Sequence, residues 1–244
     1  MRILTRNTHL EKDKVSGFYA APPGNDAKPG VLFIHHANGN TAEIRDNAER
    51  LARLGYAVFA VNMFHALGAM GEGQMGLGQP MQQKHKDPEF LKAISDGWNY
   101  LVAQPGVDRK RTAAIGYCMG GRLAIEFGAD NPELRAIVLN YPSIRDEKPN
   151  EFRTRMGFDT VKILKCATCL FWGGRDAVSP PAMQLRVAGA LMDNGQPFEY
   201  HFFHDAAHGF VSMESDNHHA DVAHRIWPIT VDFLDRYVAN PLTD

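Results

Sequence analysis

Short apolar runs that alternate with helical patterns constrain the fold of this chain more than any other feature. The runs are continuous, as expected of parallel strands covered on both faces. They are Val31–His35, Tyr56–Val61, Arg111–Tyr117, Ala136–Tyr141 and Thr168–Trp172. Apolar residues at helical spacing predict helices over 41–54, 88–104, 119–129, 181–194 and 217–238. This order indicates βαβ units, and therefore an α/β fold with a mostly parallel central sheet flanked by helices on both faces.

The remaining segments complete one predicted domain over residues 1–244, since no linker divides the chain. Residues 1–29 favour an antiparallel entry to the sheet, and 198–203 alternate as expected of a late strand. A long loop over about 64–88 and an irregular segment over about 142–162 are expected near a functional site. Connections as long as the first are usually functional or mobile.

Composition excludes several classes of protein. The 244 residues include 26 basic and 28 acidic side chains, which leave a net charge of −2 and no basic field for nucleic acid. No apolar run approaches the roughly 20 residues that span a membrane. Three cysteines do not make a disulfide framework. We therefore expect a cytoplasmic protein, a monomer or small homo-oligomer, without nucleic-acid or membrane partners.

The motif with the clearest chemistry is Gly116-Tyr117-Cys118-Met119-Gly120-Gly121. It follows an apolar strand and opens a helical pattern, which is the context of a Gly-x-nucleophile-x-Gly elbow with cysteine in place of serine. The glycines remove Cβ atoms that would clash in the sharp turn, and the helix N-terminus favours a thiolate. The alternative is that Cys118 is a small buried apolar residue.

Two further residues follow predicted strands in the chain order nucleophile, acid, histidine. Asp176 comes after the strand that ends at Trp172, and His208 comes after the strand that ends at Phe203. Alone, each has a plainer interpretation, a turn aspartate or a surface histidine. His204 is the fallback base and Asp205 the fallback acid.

An oxyanion hole is expected from two backbone N–H groups. One belongs to Met119, directly after the nucleophile, and the other to Ala37, in the loop after the first buried strand. Together these groups would bind the negative oxygen that forms when a thiolate attacks an acyl carbon.

These motifs resemble the dienelactone hydrolase family of α/β-hydrolases over nearly the whole chain. The resemblance rests on the elbow and on Gly173-Gly174-Arg175-Asp176, Ala207-His208-Gly209-Phe210 and His35-His36-Ala37-Asn38-Gly39. It implies an α/β-hydrolase fold, a Cys118–His208–Asp176 triad, and hydrolysis of a small-molecule ester or lactone through an acyl-thiol intermediate without a cofactor. It also places His36, Tyr117 and Phe210 in the substrate pocket.

Two positions depart from the pattern that the resemblance implies. His36 stands where dienelactone-cleaving members carry a glutamate that contacts the thiol, and Ser212 stands near the expected place of a carboxylate-binding arginine. Both departures argue against dienelactone itself as the substrate. His36 would instead hydrogen-bond the nucleophile, line the acyl pocket, or pack at the end of the strand.

Other interpretations of the chain are weaker. A thioesterase or small amidase could use the same triad, and a non-catalytic binding protein could use the same fold. Gly71-x-Gly73-x-x-Gly76 does not follow a strand as a dinucleotide site requires. Cys166 and Cys169 have redox spacing, but Cys169 lies within a predicted strand. No metal is expected, because His204 and His208 lack a zincin glutamate, and His218, His219 and His224 fit a polar helix face.

Overall fold

The computed structural model describes residues 2–10, 15–69, 76–155 and 157–241. Among them, eight strands form one sheet in the order β1-β2-β4-β3-β5-β6-β7-β8. The pairs β1–β2 and β2–β4 are antiparallel and the other pairs in the sheet are parallel, so the predicted antiparallel entry and mostly parallel sheet are confirmed. The strands are β1 Leu4–Leu10, β2 Val15–Ala21, β3 Lys28–Ile34, β4 Ala57–Val61, β5 Val107–Tyr117, β6 Leu134–Asn140, β7 Ala167–Arg175 and β8 Phe198–Ala207.

The described helices lie along the sheet or at its ends. They are α1 Ala42–Arg53, α2 Met63–Ala66, α3 Gly78–Lys84, α4 Asp87–Val102, α5 Met119–Asp130, α6 Gly157–Val161, α7 Pro181–Asn194 and α8 Ala220–Leu234, which continues into a π-helical turn at Asp235–Ala239. Every residue of β3 and β4 is buried, which explains why these strands read as continuous apolar runs.

The prediction of a loop over 64–88 is wrong. The segment contains the end of α2, all of α3 and the start of α4. Asn62 begins α2 by accepting a hydrogen bond from the N–H of His65. Helices α2 and α3 have too few residues to show a helical period in the sequence, and α3 is also rich in Gln. Residues 70–75, including Gly71 and Gly73, lie outside the described residues.

Other boundaries differ by smaller amounts. β8 extends to Ala207, so His204 and Asp205 lie on a strand rather than on a loop. The closing helix begins at Ala220, after a His219 cap. The stretch 142–162 contains the short helix α6. No helix in the described ranges has the length and apolarity needed to cross a bilayer.

The parallel strands determine where functional side chains meet. The carboxyl ends of β5, β6, β7 and β8 all lie at one edge of the sheet, because the register pairs these strands side by side. Residues that directly follow them in the chain are therefore neighbours in space, as is usual for ligand sites in open α/β sheets.

Candidate active site

Cys118 occupies a strained turn between β5 and α5. Its φ of 53° and ψ of −118° lie in a region that side chains rarely adopt, at a typical cost of about 1–3 kcal/mol. Three backbone bonds hold the turn: its N–H donates to Asn140 O at 3.0 Å, and its carbonyl accepts from Arg122 N at 3.2 Å and Ser143 N at 3.0 Å. The surrounding strand ends therefore maintain the strain and keep the side chain projecting from the turn.

Two glycines permit this turn, as the sequence predicts. A Cβ on Gly116 would lie 2.4 Å from the carbonyl oxygen of Gly120, and a Cβ on Gly120 would lie 2.3 Å from that of Ile34. Both approaches are to backbone atoms, which cannot move aside cheaply. Any larger residue at either position would push α5 away from β3 and β5.

The structure brings Cys118, His208 and Asp176 together. The Cys118 Sγ atom lies 3.0 Å from His208 Nε2, and His208 Nδ1 lies 2.9 Å from Asp176 Oδ2. These residues come from the ends of three different strands. The geometry is that of a nucleophile beside a base that a carboxylate orients.

Asp176 is fixed by its own turn. The residue is 2% exposed, and its Oδ1 accepts hydrogen bonds from the backbone N–H groups of Val178 and Ser179, both at 2.8 Å. Oδ2 is thereby left for His208. The fallback residues lie elsewhere: the side chains of His204 and Asp205 are 86% and 64% exposed and 3.7 Å from each other.

The environment of His208 favours the imidazolium. Burial lowers the pKa of His208, but hydrogen bonds to Asp176 and Cys118 and the charges of both groups outweigh it and raise the pKa to about 9. At neutral pH the ring therefore carries two N–H groups, one directed to the carboxylate and one to the sulfur. Asn217 Nδ2 also donates to the carbonyl of His208 at 2.9 Å, which holds the loop that carries the ring.

The two expected oxyanion donors lie where the local structure leaves backbone N–H groups without a hydrogen-bond partner. Met119 is the first residue of α5, and the first N–H groups of a helix have no partner within it. The backbone N–H of Ala37 makes no hydrogen bond within the described ranges. Helix α3 packs closely on this loop, since a Cβ on Gly78 would lie 2.3 Å from that of Ala37.

Comparison with known proteins identifies the family. Residues 15–238 match the model of the dienelactone hydrolase family. The chain belongs to this family. A Yersinia pestis protein named "Putative carboxymethylenebutenolidase" is 27% identical over 229 residues, which cover 92% of this chain and 85% of that protein.

Solved structures of the dienelactone hydrolase family share the fold. A Klebsiella pneumoniae protein described as a "Putative Dienelactone Hydrolase" superposes with a TM-score of 0.85 at 21% identity, covering 97% of this chain and all of the other. The dienelactone hydrolase-like promiscuous phosphotriesterase P91, from metagenomic libraries, gives 0.81 at 19% identity, covering 98% of this chain and 100% of P91. The predicted family and α/β-hydrolase fold are confirmed.

Tyr141 is a site residue that sequence reasoning missed. It has a φ of 37° at the end of β6, and its ring meets that of His208 edge-on with centroids 5.2 Å apart. The predicted pocket residue Phe210 is fully buried and packs behind Tyr141 at 5.2 Å. The available signal was an aromatic residue at the end of an apolar run.

His36 is buried and neutral in this member of the family. It is 6% exposed, and burial lowers its pKa to about 4. Its Nδ1 accepts the N–H of Asn38 at 3.1 Å, so the proton lies on Nε2, which has no partner among the described residues. Its neighbour His35 is a core residue that donates to His36 O and accepts from Met63 N.

A buried ion network anchors α5, the helix that begins after Cys118, and the sequence analysis did not identify it. Arg122, one turn into α5, forms two hydrogen bonds with Asp87, at 2.6 and 2.7 Å, and another with Glu126 at 2.6 Å. All three are buried. The i,i+4 spacing of Arg122 and Glu126 was visible, but nothing in the sequence indicated Asp87. The network joins α5 to the start of α4 and so fixes the helix that begins directly after Cys118.

One group of side chains could in principle hold a metal. Among the described residues, ligand atoms of Cys169, Glu199 and His201 lie within 4.8 Å of one another. Glu199, however, already pairs with Arg236 at 2.5 Å, and Cys169 is fully buried, which raises the pKa of its thiol. The carboxylate is already paired with a guanidinium, and a thiol with a raised pKa does not readily form the thiolate that binds a metal. Both properties disfavour a bound cation. None of the histidines weighed as metal ligands from the sequence belongs to this group.

Proposed function

We propose that the protein hydrolyses carboxylic esters or lactones of small acids, with Cys118 as nucleophile, His208 as acid–base group and Asp176 as the residue that orients it. The observation that carries the proposal is the chain of two short contacts, from the sulfur to the imidazole at 3.0 Å and from the imidazole to the carboxylate at 2.9 Å. The family supports a hydrolase, and these contacts support the specific mechanism.

In the proposed reaction, the Cys118 sulfur attacks the acyl carbon and the carbonyl π electrons move to oxygen. The tetrahedral intermediate collapses as the C–O bond to the alcohol breaks, and the His208 imidazolium protonates the departing oxygen. The neutral ring then takes a proton from water, which attacks the acyl-thiol. The second intermediate expels the sulfur, releases the acid and returns Cys118 and His208 to their starting state.

The N–H groups of Met119 and Ala37 would bind the oxygen as it becomes negative in both steps. Removal of one such donor typically costs about 10²–10³ in turnover. Because Ala37 lies against Gly78, α3 would control the position of this donor. The short stretch after β6 would act similarly on the other side, since Ser143 bonds the carbonyl of Cys118.

The proposed substrate is an uncharged ester or lactone rather than a dienelactone carboxylate. His36, at the expected position of a glutamate, is buried and has a pKa of about 4, so it is neutral at neutral pH. Ser212, near the expected place of an arginine, is 5% exposed and carries no charge to bind a carboxylate. Neither position therefore supplies a counter-ion for an anionic substrate.

The test is to trap the acyl-enzyme with p-nitrophenyl acetate. We expect a burst of p-nitrophenol equal to the enzyme concentration, and peptide mapping should place one acetyl group on Cys118. A Cys166→Ala variant is the matched control and should give the same burst. Acetylation of another residue, or turnover that persists in Cys118→Ala, would refute the proposal. A panel of neutral and carboxylate-bearing lactones then tests the substrate class.

A further inference from the structure

The buried network of Asp87, Arg122 and Glu126 combines two carboxylates with one guanidinium. Arg122 Nη1 donates to Asp87 Oδ2 and to Glu126 Oε1, both at 2.6 Å, and Arg122 Nη2 donates to Asp87 Oδ1 at 2.7 Å. Both oxygens of Asp87 are thereby paired. Glu126 is fully buried, and its Oε2 has no hydrogen-bond partner among the described residues. With both carboxylates ionised, the network would hold a net negative charge and an unsolvated oxygen.

A proton on Glu126 removes this excess charge. A buried ionised group loses its hydration and is costly unless a partner compensates it. Glu126 receives one hydrogen bond from a guanidinium that also makes two with Asp87. Burial, together with the charge of Asp87, raises the pKa of Glu126 to about 7 against the opposing effect of Arg122. The protonated and ionised forms of Glu126 are therefore both populated at neutral pH.

Charged groups on several segments act on this network. Asp87, at the start of α4, disfavours ionisation of Glu126, whereas Arg155, before α6, favours it. Arg155 is already paired with another carboxylate at 2.8 Å, and Glu147 acts on Arg122 from the stretch after β6. Within the described ranges, Arg122 is thus the cation that is hydrogen-bonded to Glu126.

Two routes connect the network to the carbonyl of Cys118. Along α5, the backbone N–H of Arg122 donates to Cys118 O at 3.2 Å. Along the stretch after β6, Ser143 N donates to the same oxygen at 3.0 Å, and Phe152 O accepts the N–H of Asp87 at 2.8 Å. The Asp87–Arg122 pair therefore closes a loop of contacts that includes the Cys118 turn. A shift between these two side chains would act on that turn from both sides.

We propose that Glu126 is a positioning residue, and that its proton keeps the Cys118 turn in the geometry that attack requires. When the proton leaves to solvent, the Glu126 carboxylate repels Asp87 and competes with it for the Arg122 guanidinium. The Asp87–Arg122 pair then loosens, and α5 and the stretch 143–152 hold Cys118 less rigidly. The inference rests on the proposed function, because it takes Cys118 as the nucleophile. The reactivity of Cys118 should therefore fall as the pH rises through neutrality.

The first test asks whether Glu126 holds the proton. Glu126→Gln keeps an oxygen for Arg122 and is neutral at every pH, and urea denaturation at a series of pH values gives the folding equilibrium constants. Relative to this variant, the wild type should lose on the order of a hundredfold in that constant as the pH rises from 4.5 to about 7, because the unfolded carboxyl releases its proton first. A ratio of the two constants that does not change with pH would overturn the proposal.

The second test asks whether the proton positions Cys118. Alkylation by iodoacetamide, with peptide mapping of the product to Cys118, measures thiol reactivity without ester turnover. The rate ratio of Glu126→Gln to the wild type should be close to one at about pH 5.5 and at least about threefold at about pH 8, since a displacement of about 1 Å at a reacting group can cost about 10²-fold.

A surface variant is the matched control for this ratio. Glu49 also forms an i,i+4 pair with an arginine, Arg53, but on an accessible face of α1. Glu49→Gln should be alkylated at the wild-type rate at both pH values. A ratio for Glu126→Gln that stays at one, or an equal rise in Glu49→Gln, would refute the positioning role. Near-ultraviolet circular dichroism verifies that both variants are folded.

The positioning role and the proposed hydrolysis fail by different results. Turnover that persists in Cys118→Ala would refute the proposed function, and the alkylation ratio would still report on Glu126. An alkylation ratio of one together with a normal acetyl burst would refute the positioning role alone. In ester hydrolysis, kcat should show the same pH-dependent ratio between Glu126→Gln and the wild type, while KM agrees, because Glu126 acts through α5 rather than on the substrate.

Discussion

Among the described residues, two groups combine a thiol, an imidazole and a carboxylate, and one of them has the geometry that the proposed triad requires. The first is Cys118, His208 and Asp176, at the carboxyl edge of the sheet. The second is Cys169, Glu199 and His201, on the paired strands β7 and β8. Both groups bring the same chemical types within a few ångströms, so residue identity and proximity do not distinguish them.

The difference lies in backbone geometry and access. Cys118 is partly exposed on a turn with positive φ, whereas Cys169 is fully buried in the regular strand β7. Asp176 is held by backbone N–H groups and keeps an oxygen for its histidine, whereas Glu199 is paired with Arg236. A side chain at the end of a strand is accessible for chemistry, whereas a side chain in the interior of a buried strand is packed in the core.

The largest expected effect comes from exchanging the two cysteines for alanine. Cys118→Ala should lower kcat for ester hydrolysis on the order of 10⁴-fold or more, since the proposed nucleophile is lost. Cys169→Ala should leave kcat unchanged and lower the free energy of unfolding by about 1 kcal/mol, for one buried heavy atom. Steady-state kinetics and urea denaturation measure the two quantities. Comparable losses of activity in both variants would show that the two cysteine groups do not differ in function.

The carboxylates give the next contrast. Asp176→Asn should reduce kcat by about 10²–10⁴, because an amide N–H cannot accept the Nδ1 proton and the imidazolium loses its counter-charge. Glu199→Gln, an equivalent change in the other group, should leave kcat at the wild-type value. Kinetics on one ester at one pH suffice. A loss below about tenfold in Asp176→Asn would assign the orienting role to another residue.

A pH titration sharpens the comparison through His208. Its pKa of about 9 in the folded protein exceeds the unfolded value of about 6.5. Its proton therefore stabilises the fold fully below pH 6.5, and that contribution is lost as the pH rises through about 9. Imidazole NMR should show this titration in the wild type and a lower pKa in Asp176→Asn. His36, with a pKa of about 4, should stay neutral above pH 6. Titration of His208 near 6.5 would contradict the assignment.

The smallest expected effect is that of Tyr141→Phe. The hydroxyl of Tyr141 is buried without a partner among the described residues, while its ring contacts His208. Removing the hydroxyl and keeping the ring should change kcat less than about twofold, or about 0.4 kcal/mol in the barrier. Tyr141→Ala, which removes the ring support, should reduce kcat more. A large loss in Tyr141→Phe would show that the hydroxyl touches the substrate.

Much of the fold followed from local patterns, and the exceptions have physical causes. The buried strands were predictable because helices on both faces demand continuous apolar sequence, and α7 was predicted at its observed bounds, 181–194. Helices α2 and α3 were missed because a few residues give no measurable period. The single domain, the oligomeric state and the cytoplasmic location stay predictions.

The predicted triad residues lie together, whereas their supports were not predictable. Tyr141, Asn217 and Asp87 act through contacts between segments distant in the chain, and no short motif encodes such contacts. Two of the predicted pocket residues lie in different places in the structure. Tyr117 lines a cavity beside α1 and α8, while Phe210 packs behind Tyr141. Side-chain direction at the end of a strand depends on its neighbours.

The sequence by itself determined the alternation of strands and helices, the glycine-flanked elbow and the order of the three candidate residues, because each depends on a few adjacent side chains and their steric limits. Only the tertiary structure decided which acid meets His208, that His36 is buried and neutral, and that an open cavity lies between α1 and α8. These properties depend on desolvation and on distances between separate segments, and both arise only when the sheet is assembled.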